Sequence, residues 1–306
     1  MSLAPVTVRS PAKVNLGLSV GSADAEGYHR VATVYHAISL YDEVKARPTE
    51  TPGEISVSVT GEGMRRVPVD GTNLAVQAAR RLAKAFDVRA GVALSIHKTI
   101  AVAGGLAGGS SDAAGALVAC DALWGTGATR DDLFALAAEI GSDVPFCLFG
   151  GTAIGTGRGE ALSSVLSRGS YEWVLGYADG GLTTPDVYAE LDRMRAVSGA
   201  RVAAPAVPED LMAALRGGDP YAVGPALRND LQPAAMRLRP TLRRTIELGE
   251  EYGALGSLVT GSGPTCLFLA SDADHAVDLA VALSGSGLCS SVQRATGPVP
   301  GARIVT

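Results

Sequence analysis

The stretch "AVAGGLAGGSSDAAGALV", Ala101 to Val118, packs four glycines and two serines ahead of a segment with helical composition. Phosphate binding is the chemistry such a stretch can do. Glycines let a backbone adopt positive φ and approach a ligand with no Cβ in the way, and the free amides of a helix's first turn, with the positive end of its dipole, attract anions. Ser110 and Ser111 are expected to cap that helix. A Walker A loop needs Gly-Lys-Ser/Thr and a Rossmann turn needs Gly-x-Gly-x-x-Gly; this loop is neither, since Ser110 stands where the lysine would be and Leu106 where the second glycine would be.

Lys13 and Asp143 are the other residues whose settings ask for an explanation. In "SPAKVNLGL", Lys13 and Asn15 lie two apart and so share one face of a strand; a lysine among Val and Leu must snorkel, pair or act. Of the 26 Lys and Arg, only Lys13, Lys45, Lys84 and Lys98 are lysine, which gives a lysine inside a motif some weight. In "EIGSDVPFCLFGG", Asp143 follows a glycine helix stop and stands two residues before a proline. Its carboxylate can project from a rigid turn, or simply cap the next one.

Elements able to hold these groups are legible around them. "VTVRSPAKVNLGLSVG" predicts two strand pieces broken at Pro11, and "VATVYHAISLYDEVKA" and "EISVSVTGE" predict further strands. "NLAVQAARRLAKAF" predicts a helix capped by Thr72 or Asn73. "VALSIHKTI" is a strand leading into the glycine loop. "SSDAAGALVACDALWG" and "TRDDLFALAAEIG" are helices stopped by glycine, the second with a capping-box-like start at Thr129 and Asp132. "SDVPFCLFGGTAIGTGRGE" reads as loop and strand, and residues 198–220 as a looser Ala, Pro and Gly-rich stretch. "YEWVLGYA" and "TCLFLAS" are strands; "TPDVYAELDRMRAV", "TLRRTIELGEEYG" and "DADHAVDLAVALSG" are helices. Early strands cluster with no regular β-α-β rhythm, which predicts an α+β fold. Its 306 residues suit two domains, divided at the glycine-dense "GGTAIGTGRG".

Composition narrows the function classes. With 47% hydrophobic and 19% charged residues the chain is a folded, soluble type. A net charge of -5 argues against a general nucleic-acid or anionic-membrane binder. Cys120, Cys147, Cys266 and Cys289 are widely spaced, and His29, His36, His97 and His275 form no zinc-binding helix, so reduced, mostly buried thiols and no protein-held metal are expected. No leader-like or membrane-length apolar run is present, which predicts a cytoplasmic protein.

"SPAKVNLGL", "AVAGGLAGGSSDAA", "GSDVPF" and "VTGSGPTCLF" occur in the order found in the galactokinase, homoserine kinase, mevalonate kinase and phosphomevalonate kinase (GHMP) superfamily, which the chain resembles over nearly its whole length. "EGYHRV" and "LTTPDVY" are most similar to the branch that phosphorylates the 2-hydroxyl of a cytidylated sugar alcohol in isoprenoid precursor synthesis. The resemblance implies two α+β domains, 1–156 and 157–306, with the active site in the cleft between them. It implies ATP bound along Ala101, Val102, Ala103, Gly104, Gly105, Leu106, Ala107, Gly108, Gly109, Ser110 and Ser111, its phosphates on Gly104 to Ser111, with Asn73 and Lys98 nearby around the nucleotide. Lys13 and Asp143 match the catalytic pair, Asp143 as base or positioner and Lys13 as its electrostatic partner. Tyr28 and Tyr188 match cytosine-stacking positions, with Asn15, His29 and Thr184 as polar contacts. Mg²⁺ is expected to arrive with ATP, with Ser111 as a candidate oxygen. Ala101, Ala107 and Asp112 depart from the Pro, Gly and Asn often found at their positions. An acceptor such as homoserine, mevalonate or a sugar, or an inactive nucleotide-binding regulator, is the alternative; the oligomeric state is left open.

Overall fold

The computed structural model describes residues 4–199 and 201–305. Two long strands, β1 (Val6–Ala23) and β2 (His29–Thr49), pair antiparallel along most of their length. Pro11 does not divide β1 as expected. The register shifts between Pro11 and Ala12, an irregularity that accommodates a residue without a donor. β3 (Ile55–Gly61) runs parallel to β4 (Gly91–Lys98), which pairs antiparallel with β2. Between them α1 (Leu74–Ala85) starts at Asn73, whose side chain accepts from the Ala75 amide.

Three helices follow: α2 (Gly108–Trp124), α3 (Arg130–Ile140) and α4 (Val144–Phe149). Thr129 and Asp132 form the reciprocal capping box at the start of α3. α4 replaces an expected loop, because Pro145 falls in the first turn, where a missing N–H leaves no bond unmade. β5 (Thr152–Gly157) pairs with β2, and β6 (Ala161–Ser164) with β5.

The second half contains β7 (Tyr171–Tyr177), α5 (Thr184–Ser198), α6 (Glu209–Gly217), α7 (Pro220–Ala226), β8 (Arg228–Asn229), α8 (Gln232–Leu238), α9 (Thr241–Glu251), β9 (Gly256–Val259), β10 (Thr265–Ala270), α10 (Ala273–Gly285), β11 (Ser291–Gly297) and β12 (Arg303–Val305). α6 lies inside the stretch expected to be loose; Leu211, Ala214 and Leu215 give it a buried face that flanking Pro and Gly obscure in the sequence.

Among the described residues the strands form two sheets, giving the α+β class expected. One follows the order β12-β1-β2-β4-β3, with β5, β6 and β8 attached; the other is β11-β7-β10-β9. The sequence-based division at 156/157 falls at the end of β5, and β6, β8 and β12 join the first sheet from beyond it. A shared core lies between the sheets, where Val14, Leu16 and Ile38 meet Trp173, Leu175, Leu267 and Leu269. Each such fully buried aliphatic side chain stabilises the fold by about 1.5–3 kcal/mol. All four cysteines are free thiols, Cys289 half-buried and the others buried.

Candidate active site

The glycine loop joins β4 to α2, and it is built differently from expectation. The helix begins at Gly108, ahead of the serines, with Ala107 at its N-cap in the left-handed conformation (φ 59°) and no side-chain cap. Ser110 and Ser111 are therefore first-turn residues and cap nothing. Gly108 and Gly109 present the opening amides to a cavity of about 330 Å³, lined by residues 101–109, Asn73, Lys98 and Asp112. Of the four glycines only Gly105 has positive φ (76°); Ala103 (62°) and Ala107 take the other left-handed positions. Close approach also constrains Gly105 and Gly108. A Cβ on Gly108 would stand 3.2 Å from Lys98 Nζ, and one on Gly105 would stand 3.0 Å from the Gly263 carbonyl oxygen.

Lys98 and Asn73 border this cavity, but their polar atoms already have protein partners. Lys98 Nζ donates to Asp42 and, at 2.7 Å, to Asp112. The other Asp42 oxygen accepts from the Thr99 and Ile100 amides at 2.6 and 2.9 Å. Burial works against the Lys98 charge, yet Asp112 and Asp42 outweigh it and hold its pKa above the usual lysine value. Burial pushes the Asp112 carboxyl well up, despite the pull of Lys98. Lys98 is thus a strut tying β2, β4 and α2 beneath the loop. Asn73 accepts from Ala75 and donates to the Pro68 carbonyl at 2.7 Å. Ser111 Oγ and Asp112 Oδ1, by contrast, are buried with no hydrogen-bond partner.

A second cavity, of about 300 Å³, adjoins the first across Gly105 and Ala107 and contains Lys13, Asn15, Tyr35 and Asp143. Lys13 and Asn15 share a face of β1, as period two requires. Lys13 Nζ donates to Asn15 Oδ1 at 2.8 Å, Asn15 Nδ2 donates to Thr33 at 2.7 Å, and Thr33 donates to the Gly17 carbonyl at 2.8 Å. Asp143 precedes α4 without capping it, so its carboxylate is available elsewhere. Oδ2 lies 3.7 Å from Lys13 Nζ, and Oδ1 accepts from the Tyr35 hydroxyl at 2.9 Å. Sequence reasoning missed Tyr35, and also Thr260, whose Oγ1 accepts from the Asn15 amide at 2.9 Å. The one available signal for Tyr35 was its place two residues beyond Thr33 on the same strand face.

Tyr28, His29, Thr184 and Tyr188 meet in a third, larger cavity of about 890 Å³, which shares Thr184, Tyr188 and Arg158 with the second. Tyr28 is exposed, and the Arg158 guanidinium sits 3.7 Å over its ring. The His29 and Tyr188 ring centroids are 5.0 Å apart. His29 Nδ1 lies 2.9 Å from the Gly21 carbonyl and Nε2 lies 3.1 Å from Asp192 Oδ2. Thr184 Oγ1 is 3.0 Å from Ser262 Oγ. Burial, then the Asp143 charge, pushes the Tyr188 phenol up to about 12. The three cavities adjoin in series through shared lining residues, with Lys13 and Asp143 in the middle one; Arg158 is a lining residue that the sequence reading did not single out.

Comparison with known proteins bears on these cavities. Residues 73–151 match the family model described as GHMP kinases N terminal domain, and residues 211–288 match GHMP kinases C terminal. The chain is 53% identical to the 4-diphosphocytidyl-2-C-methyl-D-erythritol kinase of Mycolicibacterium gilvum, covering 98% of this chain and 92% of that one. The chain belongs to the GHMP kinase family. This GHMP kinase is likewise 53% identical to the enzyme of the same name from Thermobifida fusca, covering 98% of both chains. Among solved structures, it resembles a 4-(cytidine 5'-diphospho)-2C-methyl-D-erythritol kinase at 32% identity and a TM-score of 0.76, over 95% of this chain and 98% of that one. A homoserine kinase from Cytophaga hutchinsonii shares the fold at 18% identity and a TM-score of 0.77, over 100% of this chain and 99% of that one.

Proposed function

We propose that this GHMP kinase transfers the γ-phosphoryl group of ATP to the 2-hydroxyl of 4-diphosphocytidyl-2-C-methyl-D-erythritol. The products are the 2-phosphate and ADP, in the non-mevalonate route to isoprenoid precursors. The observation that carries this reading is the series of adjoining cavities: an amide-lined cavity, a Lys–Asp pair and an aromatic cavity in that order. A nucleotide's phosphates, a reacting hydroxyl and a cytidine fit these in turn, and the relatives of highest identity reported above carry the corresponding name.

In the first cavity the amides of Gly108 and Gly109, at the positive end of α2, hold the phosphates. Lys98, occupied by two carboxylates, keeps the loop in place and contributes little net charge. Mg²⁺ carried with ATP would spread the charge of the transferring group, and the buried, unpartnered oxygens at the start of α2, Ser111 Oγ and Asp112 Oδ1, of which Asp112 lines the cavity, are the protein groups that would hold it. In the second cavity Asp143 Oδ2 takes, or simply orients, the proton of the acceptor hydroxyl. Lys13 pairs with Asp143 and stabilises negative charge at the reacting oxygens. In the third, Tyr188 and the face of Tyr28 that Arg158 leaves free stack on cytosine. His29 and Thr184 supply polar contacts there, Asn15 stands in the second cavity, where its side chain is bonded to Lys13 and Thr33, and Arg158, bordering both cavities, meets the diphosphate. A division near 156/157 follows the order of the chain, while β6, β8 and β12 return to the first sheet.

Purified protein with ATP, Mg²⁺ and the cytidylated alcohol should form ADP and the 2-phosphate. Absence of product above the Asp143→Ala control would overturn the assignment. Cytidine diphosphate should compete with the acceptor, and turnover of homoserine or mevalonate indifferent to cytidine diphosphate would favour another acceptor class.

A further inference from the structure

Tyr35 is buried on β2, yet its hydroxyl ends inside the reaction cavity. That hydroxyl donates to Asp143 Oδ1 at 2.9 Å, which leaves Oδ2 as the oxygen nearer Lys13. The ring is immobilised from several sides. It stacks on Phe146 of α4 at 4.8 Å and 27°, so the phenol and the carboxylate it meets are referenced to the same helix. On the other side lie two glycines with no room for a side chain: a Cβ on Gly155 would stand 2.5 Å from the ring and one on Gly159 would stand 2.3 Å from the hydroxyl. Lys13 Nζ lies 5.7 Å from the ring centroid, within cation–π range. Burial, then the Asp143 charge, holds the phenol's pKa well above its ordinary value, so it stays a donor.

Among the described residues the Asp143 side chain makes no capping bond, and its charged partner, Lys13, stands 3.7 Å away, beyond hydrogen-bond length. A terminal carboxylate torsion is soft and broadly distributed. We propose that Tyr35 is a positioning residue: its hydroxyl pins Asp143 Oδ1 so that Oδ2 faces Lys13 and the acceptor hydroxyl. This inference rests on the kinase reading above and deepens it.

Tyr35→Phe keeps the stack and the cation–π contact and deletes only the donor. It is expected to lower kcat about 10-fold, within the range a misaligned catalytic group costs, while KM for ATP and for the alcohol changes less than twofold and the melting temperature by only a few degrees. The effect should also act through Asp143. In an Asp143→Asn background, Tyr35→Phe should leave the residual rate unchanged, as coupled residues do in a double-mutant cycle. An unchanged kcat, a rise in KM alone, or the same 10-fold loss in both backgrounds would overturn the inference and leave Tyr35 a packing residue. A wild type that fails to phosphorylate the cytidylated alcohol would instead count against the substrate reading; a wild type that turns over beside an equally fast Tyr35→Phe counts only against Tyr35.

Discussion

Lys13 and Asp143 come together from distant parts of the chain, with Nζ and Oδ2 3.7 Å apart in the middle cavity. Replacing Asp143 by Asn removes the acceptor for the hydroxyl proton, and replacing Lys13 by Ala removes its charge partner. Each change is expected to lower kcat by roughly 10²–10⁴-fold, with ATP affinity, measured by calorimetry, within a few fold of wild type. Tyr188→Ala should act on the other side of the ratio, raising KM for the cytidylated alcohol about 10-fold with kcat nearly intact, because a base–aromatic stack contributes roughly 1–3 kcal/mol. Lys13 and Asn15 were legible because period two puts them on one strand face without reference to anything else. Tyr35 was not, since its bond to Asp143 spans 108 positions and β1 meets β2 through several register shifts. Lys98 was found, but its role was not. Asp42 reads as an ordinary acid in "LYDEV", and only the fold brings it under the loop beside Asp112.

At the level of elements, the loop and the start of α2 work through backbone geometry. Gly105 has φ 76° and has the Gly263 carbonyl where a Cβ would go. Gly105→Ala is therefore expected to cost more than about 1 kcal/mol of stability and to raise KM for ATP, which denaturant titration and initial rates would show. Ala107 is the reverse case, a non-glycine residue holding φ 59°. Ala107→Gly should stabilise the protein by about 1 kcal/mol, the left-handed cost relieved, seen as a higher denaturation midpoint. Both effects were beyond the sequence, because glycine content says that a loop can take positive φ without saying where. The four missed helices share a cause: α4, α7 and α8 have Pro145, Pro220 and Pro233 in their first turns and α6 is bracketed by Pro208 and Gly218, so residues that punctuate structure stand at helix ends and read as breaks. The capping of α3 was readable because all its determinants lie within one turn.

The whole molecule depends on the seam between its two sheets, and His36 lies in it. The ring packs edge-on against Tyr171 and Trp173 of β7, each at 5.8 Å between centroids, and is fully buried. Burial pushes His36 down to about 3 from the ordinary 6.5, against a backbone contact from Gly297 that pulls the other way. Between these values the unfolded chain binds a proton that the native protein refuses, so stability falls as pH drops from about 6.5 toward 3. The expected contribution is about 1.4 kcal/mol per pH unit. Urea midpoints at pH 7, 5.5 and 4.5 should fall more steeply for the wild type than for His36→Gln, and equal slopes would show that His36 is not the group responsible. The α+β class follows from early strands that cluster without helices between them; the seam does not, because nothing local marks which faces will meet.

β12 lies alongside β1 at Thr7, Val8 and Arg9, and β8 lies parallel to β1 at Gly17 and Leu18. During synthesis the strand bearing Lys13 therefore leaves the ribosome nearly three hundred residues before the last of its neighbours exists. Until then its β12-side edge offers unpaired amides and carbonyls to any passing strand. Loop closure over such a span must precede the reward of pairing, so the nascent chain has to shield its first-made strand until its last-made one arrives.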